Sequence, residues 1–187
     1  MELTERYSIA HKGLKSGRYD FGFTVDGELF RAYDSPDIVD GACDVAVRME
    51  RGETTLSLDV SITGHVVVPC DRCLENCSVP VGFEGRLLVR ISDEQGEYDG
   101  ETMWISPADE AVDLSQYIYE SIVLSLPYQR VHPDGECDPE MMKRFRIVSG
   151  EEFAAVEAQA QHESESLPDG ERAKLAALRE RMNDQEE

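Results

Sequence analysis

From Arg18 to Arg90 hydrophobic and polar positions mostly alternate with period two. Tyr19, Phe21, Phe23 and Val25 interleave with Asp20, Gly22, Thr24 and Asp26. Asp26-Gly27 reads as a turn, with Leu29-Phe30 opening a second strand. Cys43, Val45, Val47 and Met49 form the next strand, closed by Arg51-Gly52. Leu56, Leu58, Val60 and Ile62 continue the pattern into Val66-Val67-Val68. After a cysteine cluster, Val79, Val81 and Phe83 resume it and lead to Leu87-Leu88-Val89. Alternation of this kind puts one face of each strand on a core and the other in water. Short strands joined by tight turns predict an antiparallel sheet or a distorted, partly closed barrel.

Helical spacing takes over from Asp113. Leu114, Tyr117, Ile118, Ser121 and Ile122 fall on one face, and Pro127 stops the run. Asp113 with Gln116 three residues on has the form of a capping box, so a packed helix is expected near 113–126. Tyr117 and Tyr119 are read as packing residues. Met103-Trp104-Ile105 predicts a short strand before that helix. Asp138-Pro139 has the form of an N-cap followed by proline at the first helical position, opening a helix through Phe145. Ser149-Gly150-Glu151-Glu152 is a second capping-box pattern, leading to Phe153 and Val156. Ser164–Gly170 reads as a linker, and 171–182 as a last amphipathic segment. The resulting class is α+β. An α+β domain over 1–148 is followed by an acidic tail over 149–187, helical or disordered. No internal repeat is visible.

Charge narrows the functional classes. The chain has 187 residues, 39 acidic and 18 basic, for a net charge of −21. A strong non-specific nucleic-acid binder needs positive charge to displace counterions from phosphate. The acids are concentrated. Residues 91–129 contain nine of them and no Lys or Arg, and 150–187 is net −7, with eleven acids and four bases. Asp93, Glu94, Glu97, Asp99 and Glu101 are therefore candidates for docking a basic partner. The locally basic stretch is the segment from His11 to Arg18, which Gly13 and Gly17 make a loop. Its Lys12, Lys15 and Arg18 are candidates for contact with RNA or an acidic partner. No apolar run exceeds four residues, as at Leu175–Leu178, far below the ~20 of a membrane span. The acidic opening Met1–Arg6 has no signal-like apolar stretch, so a cytoplasmic protein without membrane association is expected.

Cys43, Cys70, Cys73, Cys77 and Cys137 make an odd set, and three of them fall within eight residues. In a reducing compartment such a cluster reads as metal ligands, redox groups or plain thiols. Pro69-Cys70-Asp71-Arg72-Cys73 lies between two strand patterns, so both thiols would meet at a hairpin tip. Two thiolates supply half of a tetrahedral zinc site. His132 and Cys137, five positions apart across a Pro/Gly turn, are candidates for the other half, giving a structural Cys3His site of Cys70, Cys73, His132 and Cys137. Cys77 is read as spare and Cys43 as a small core residue. A thioredoxin-like reading lacks the helix that should follow the Cys-x-x-Cys. No phosphate loop or nucleophile elbow is present, and no small-molecule substrate is evident. His65 is expected to be half-buried in a strand, and His11 to lie in polar surroundings.

Several motifs occur in a telling order. They are Leu14-Lys15-Ser16-Gly17, Cys70-Asp71-Arg72-Cys73-Leu74-Glu75, Val112-Asp113-Leu114, Tyr119–Pro127, and His132 with Cys137. Over about residues 1–145 this order resembles the YceD family, the large ribosomal RNA subunit accumulation proteins. The resemblance does not extend into the acidic tail. It implies a bacterial cytoplasmic, non-enzymatic ribosome biogenesis factor, and by position it marks Cys70, Cys73, His132 and Cys137 as metal candidates. Its partner would be a ribosomal protein or assembly factor, held by the acidic surface, with ribosomal RNA affected directly or indirectly. A direct RNA-binding protein with a zinc-organised knuckle is the first alternative. A thiol-based redox enzyme is the second.

Overall fold

A computed structural model describes residues 3–94, 96–143 and 153–159. The chain divides into two compact units, Met1–Met142 and Lys143–Glu187. In the first, a short helix α1 (Leu3–Arg6) precedes β1 (Ser8–Ala10), β2 (Gly17–Val25) and α2 (Gly27–Ala32). The long strands β3 (Asp40–Arg51), β4 (Thr55–Pro69) and β5 (Asn76–Ile91) follow. Then come β6 (Thr102–Ile105), β7 (Ala111–Asp113), α3 (Ser115–Leu124) and α4 (Pro139–Met142).

Strands β2-β3-β4-β5-β6 form one five-stranded sheet, and β1 pairs with β7 in a small second one. The first four strands are antiparallel, while β6 runs parallel to β5. The sheet is open: β2 and β6 are its edges, so the barrel alternative is not realised. The period-two pattern explains the long strands. Register places Phe23, Val45, Ile62 and Phe83 in one inward row, and Tyr19, Met49, Leu58 and Leu87 in another. Leu29 and Phe30 of α2 and Ile118 and Ile122 of α3 join the same buried core. The opposite face is polar. There Asp20, Arg48, Asp59 and Arg86 lie side by side across four strands, with Arg48–Asp20 at 3.4 Å and Arg86–Asp59 at 2.7 Å.

Three local expectations change. Leu29-Phe30 lies in helix α2, because Asp26 accepts the Glu28 N–H at 2.9 Å and so caps a helix where a hairpin turn was read. Helix α3 starts one residue after Leu114, which gives no side-chain cap; Asp113 accepts from Ser115 N at 2.9 Å. Gln116 donates to Glu120 at 2.8 Å, so the reciprocal half of the capping box is absent. The Asp138-Pro139 signal does open α4, with Asp138 accepting from Glu140 N and Met141 N. The rest of that helix toward Phe145, the linker at 164–170 and the segment at 171–182 lie outside the described residues. In the second unit a helix over 153–159 is described, with Phe153 and Val156 exposed.

Candidate metal centre

The hairpin between β4 and β5 carries Cys70 and Cys73 on its tip. The turn is built by Cys70 N donating to Glu75 O at 2.9 Å and Leu74 N to Cys70 O at 2.9 Å. Leu74 takes a positive φ of 65° to close it. Arg72 N points at Cys70 Sγ across 3.4 Å, as the amides of thiolate-binding turns do. Both cysteines are buried.

The segment after α3 folds back over this tip. Asp71 and Arg130 clamp it through main chain and side chain together. Asp71 N donates to Arg130 O at 2.7 Å, and Arg130 N donates to an Asp71 carboxylate oxygen at 2.8 Å. The Arg130 guanidinium reaches Asp37 at 2.8 Å and Asp71 at 3.5 Å. This clamp delivers His132 and Cys137. Cys73 Sγ faces His132 Nδ1 at 3.4 Å, and Cys70 Sγ faces Cys137 Sγ at 3.9 Å.

The ligand atoms of Cys70, Cys73, His132 and Cys137 all lie within 4.8 Å of one another. The four groups could hold a metal ion. Two sulfurs bound to one zinc at ~2.3 Å stand about 3.7 Å apart in a tetrahedron, close to the Cys70–Cys137 separation. The electrostatics suit a cation. Burial pushes the Cys70 thiol up, but the N–H groups of Cys73, Arg72 and His132 and the His132 ring outweigh it and bring it down to about 6. Burial first, then the neighbouring Cys70, raises Cys77 and Cys137 instead. Cys77 is buried beside the set and outside it.

The sites named from sequence separate in space. The four metal candidates converge. The basic segment lies at the other end of the sheet, where Gly17 pairs with Arg51. Residues Thr55–Pro69 of β4 separate the two ends, roughly 45 Å at ~3.3 Å per residue. Lys12 reaches Glu110 at 3.5 Å and the Ala108 carbonyl at 3.2 Å, Arg18 lies 3.9 Å from Glu50, and Lys15 is exposed. Asp93, Glu94, Glu97, Asp99 and Glu101 are all exposed on the connection from β5 to β6. Asp99 also accepts from Glu101 N and Thr102 N, which hold its carboxyl below the usual range. Cys43 is in the core, as expected. His65 is exposed on the outer sheet face, against the expected half-burial, and His11 is buried with Arg51 at 3.4 Å from its Nδ1. Sequence reasoning did not single out Asp71 and Arg130. The signal available was Asp71 inside the Cys-x-x-Cys turn, with an arginine two positions before His132.

No helix among the described residues is long and apolar enough to cross a membrane. No curated protein and no solved structure matches the chain. A family model does match, described as large ribosomal RNA subunit accumulation protein YceD, over residues 58–179. Against the expected extent of about 1–145, the matched span leaves out the first 57 residues and reaches into the acidic tail. It runs from within β4 through all four candidate ligands and covers more than half of the 187 residues, and the chain belongs to the YceD family.

Proposed function

We propose that this protein is a cytoplasmic ribosome biogenesis factor that supports accumulation of large-subunit ribosomal RNA as a binding module, without enzymatic activity. It holds a basic ribosomal protein or assembly factor, and the RNA responds indirectly. The family's name supports the large-subunit role. The observation that carries the binding mode is the stretch from 91 to 129, with nine acids and no base, whose Asp93, Glu94, Glu97, Asp99 and Glu101 are all exposed. Ribosomal proteins are strongly basic, so such a surface attracts them and repels bare RNA. Screening at ~8 Å in physiological salt leaves contact-range attraction in place.

Structural zinc fits Cys70, Cys73, His132 and Cys137. Three thiolates and an imidazole form a closed donor set with no open position, the structural rather than the catalytic pattern. When bound, zinc would cross-link the β4–β5 tip to the segment after α3. The thiols themselves are buried, which disfavours a thiol enzyme that must reach a substrate. A direct RNA contact combining the basic segment with the cysteine knuckle is disfavoured by the length of β4 between them.

The test is rescue in cells lacking this protein. Wild-type chain should restore the ratio of large- to small-subunit ribosomal RNA. A variant with Asp93, Glu94, Glu97, Asp99 and Glu101 changed to their amides should fail to do so at equal abundance. Full rescue by that variant would overturn the acidic-surface reading.

A further inference from the structure

Strand β5 is paired along its whole length on one side only. Its register with β4 is continuous from Asn76 to Arg90, whereas β6 meets it only at Leu88–Ile91. Among the described residues no other strand pairs with the rest of that edge. Ile91 N donates toward β4, to Thr54 O, and Leu88 N donates outward, to Glu101 O. Since the register has no bulge, Gly82, Glu84 and Arg86 share the parity of Leu88 and turn their N–H and C=O groups to the outer edge. Pro80 has the same parity, and a proline is tolerated at an edge where its missing N–H disrupts no ladder.

A groove of about 310 Å³ runs beside this edge. Phe83 and Tyr117 meet edge-to-face at its floor, with centroids 6.0 Å apart. A Cβ on Gly85 would come 2.5 Å from Phe83 Cζ and 2.8 Å from the Tyr117 hydroxyl, so glycine keeps the floor open. Glu84, Glu101 and Glu120 border the groove with the ring of Tyr98. Arg86 also borders it, but its guanidinium is engaged by Asp59 at 2.7 Å. Glu120 accepts from both the Tyr98 hydroxyl, at 3.0 Å, and Gln116, at 2.8 Å, which fixes the carboxylate and the ring together.

We propose that this edge takes an extended arginine- or lysine-rich segment of a basic protein as an added strand. Its main chain pairs with Gly82–Arg86; cations on one face of the added strand meet Glu101, Glu120 and the Tyr98 ring, and a cation on its other face meets Glu84. The inference rests on the docking function proposed above and names its place. Charge selects the occupant. A phosphate backbone would meet three carboxylates, and two copies of this chain paired here would bring six together.

The probe is a synthetic peptide of alternating arginine and threonine, titrated calorimetrically into the full chain, with a glutamate–threonine peptide as control. Only the arginine peptide should bind. Two peptides N-methylated on the two alternate sets of amides separate strand addition from charge. The set that blocks pairing should bind about tenfold more weakly, the equivalent of one or two main-chain hydrogen bonds. Gly85→Val should weaken binding comparably; since it could also disturb folding, Glu101→Gln with Glu120→Gln provides a second variant expected to lose affinity. Equal binding of both methylated peptides, or unchanged binding to the Glu101/Glu120 variant, would overturn the proposal. If the full chain nevertheless retains a basic ribosomal protein from ribonuclease-treated extract, the docking function stands and only its place is wrong. If it retains none, both fall.

Discussion

The Nε2 of His132 donates to the main-chain carbonyl of Asn76 across 3.2 Å. A carbonyl can only accept, so this contact assigns the ring proton to Nε2 and leaves the Nδ1 lone pair facing Cys73 Sγ. The first residue of β5 thus sets the tautomer of a residue far along the chain. Outer partners of this kind orient metal ligands and raise their basicity.

The clamp that carries His132 should matter as much as that hydrogen bond. Asp71→Ala removes the carboxylate that holds Arg130 N and its guanidinium. Zinc affinity, measured by competition with a chromophoric chelator, should fall about 10–100-fold, as for other outer-shell partners. Unchanged affinity would mean that the segment after α3 is held in some other way.

Metal removal should loosen the same region. Protein purified without chelator should carry a single zinc by elemental analysis, and Cys70→Ser or Cys137→Ser should lose it. Chelation should lower the melting temperature and speed alkylation of Cys70 and Cys73, while Cys43, buried within the sheet, stays protected. A wild-type chain that retains no zinc, with identical alkylation before and after chelation, would count against a structural metal.

Asp26 links helix α2 to the N-terminal segment. It caps α2 and accepts from Arg6 at 2.7 Å, and that guanidinium holds its carboxyl below the ordinary range. The folded state therefore binds this proton less readily than the unfolded one. The stabilisation is present above the ordinary carboxylate value and is lost as pH falls through the lower folded value. Asp26→Ala should cost about 1 kcal/mol at neutral pH through the lost cap. The difference from wild type should shrink in acid. A constant difference across that range, followed by denaturant unfolding, would contradict the assignment.

Gly64 lies where β4 crosses close to β3. A Cβ there would approach Cys43 Cα to 2.6 Å and also meet the Ala42 carbonyl, and neither backbone group can swing away. Gly64→Ala should destabilise by about 1–3 kcal/mol, the usual cost of overpacking. Chemical denaturation with an unchanged midpoint would show that the strands can part without cost.

Much of this architecture was legible because alternation is a local signal. The long strands β3, β4 and β5 follow from Cys43 to Ile91 by counting inward and outward positions. The four candidate ligands were legible as donor types at suggestive spacings, although their convergence depends on the Asp71–Arg130 clamp, which no spacing encodes. Asp26-Gly27 misled because the same dipeptide serves a hairpin turn and a helix cap, and the tertiary fit of Leu29 and Phe30 decides between them. Met103–Ile105 was visible as a strand, but its parallel pairing with β5 was not, since direction is set by the path of the connection. His11 was legible as lying in polar surroundings, but not as buried; its burial comes from contacts distant in sequence.

The central claim is that the acidic surface holds a basic protein and that ribosomal RNA follows indirectly. Its most direct test is affinity capture of the tagged full chain from its own cells, with and without ribonuclease, identifying the proteins and RNA retained. A ribosomal protein or assembly factor that survives ribonuclease, and is lost when the acids at 93–101 are neutralised, is the predicted result. Ribosomal components that all disappear with ribonuclease would contradict it and place RNA at the primary contact.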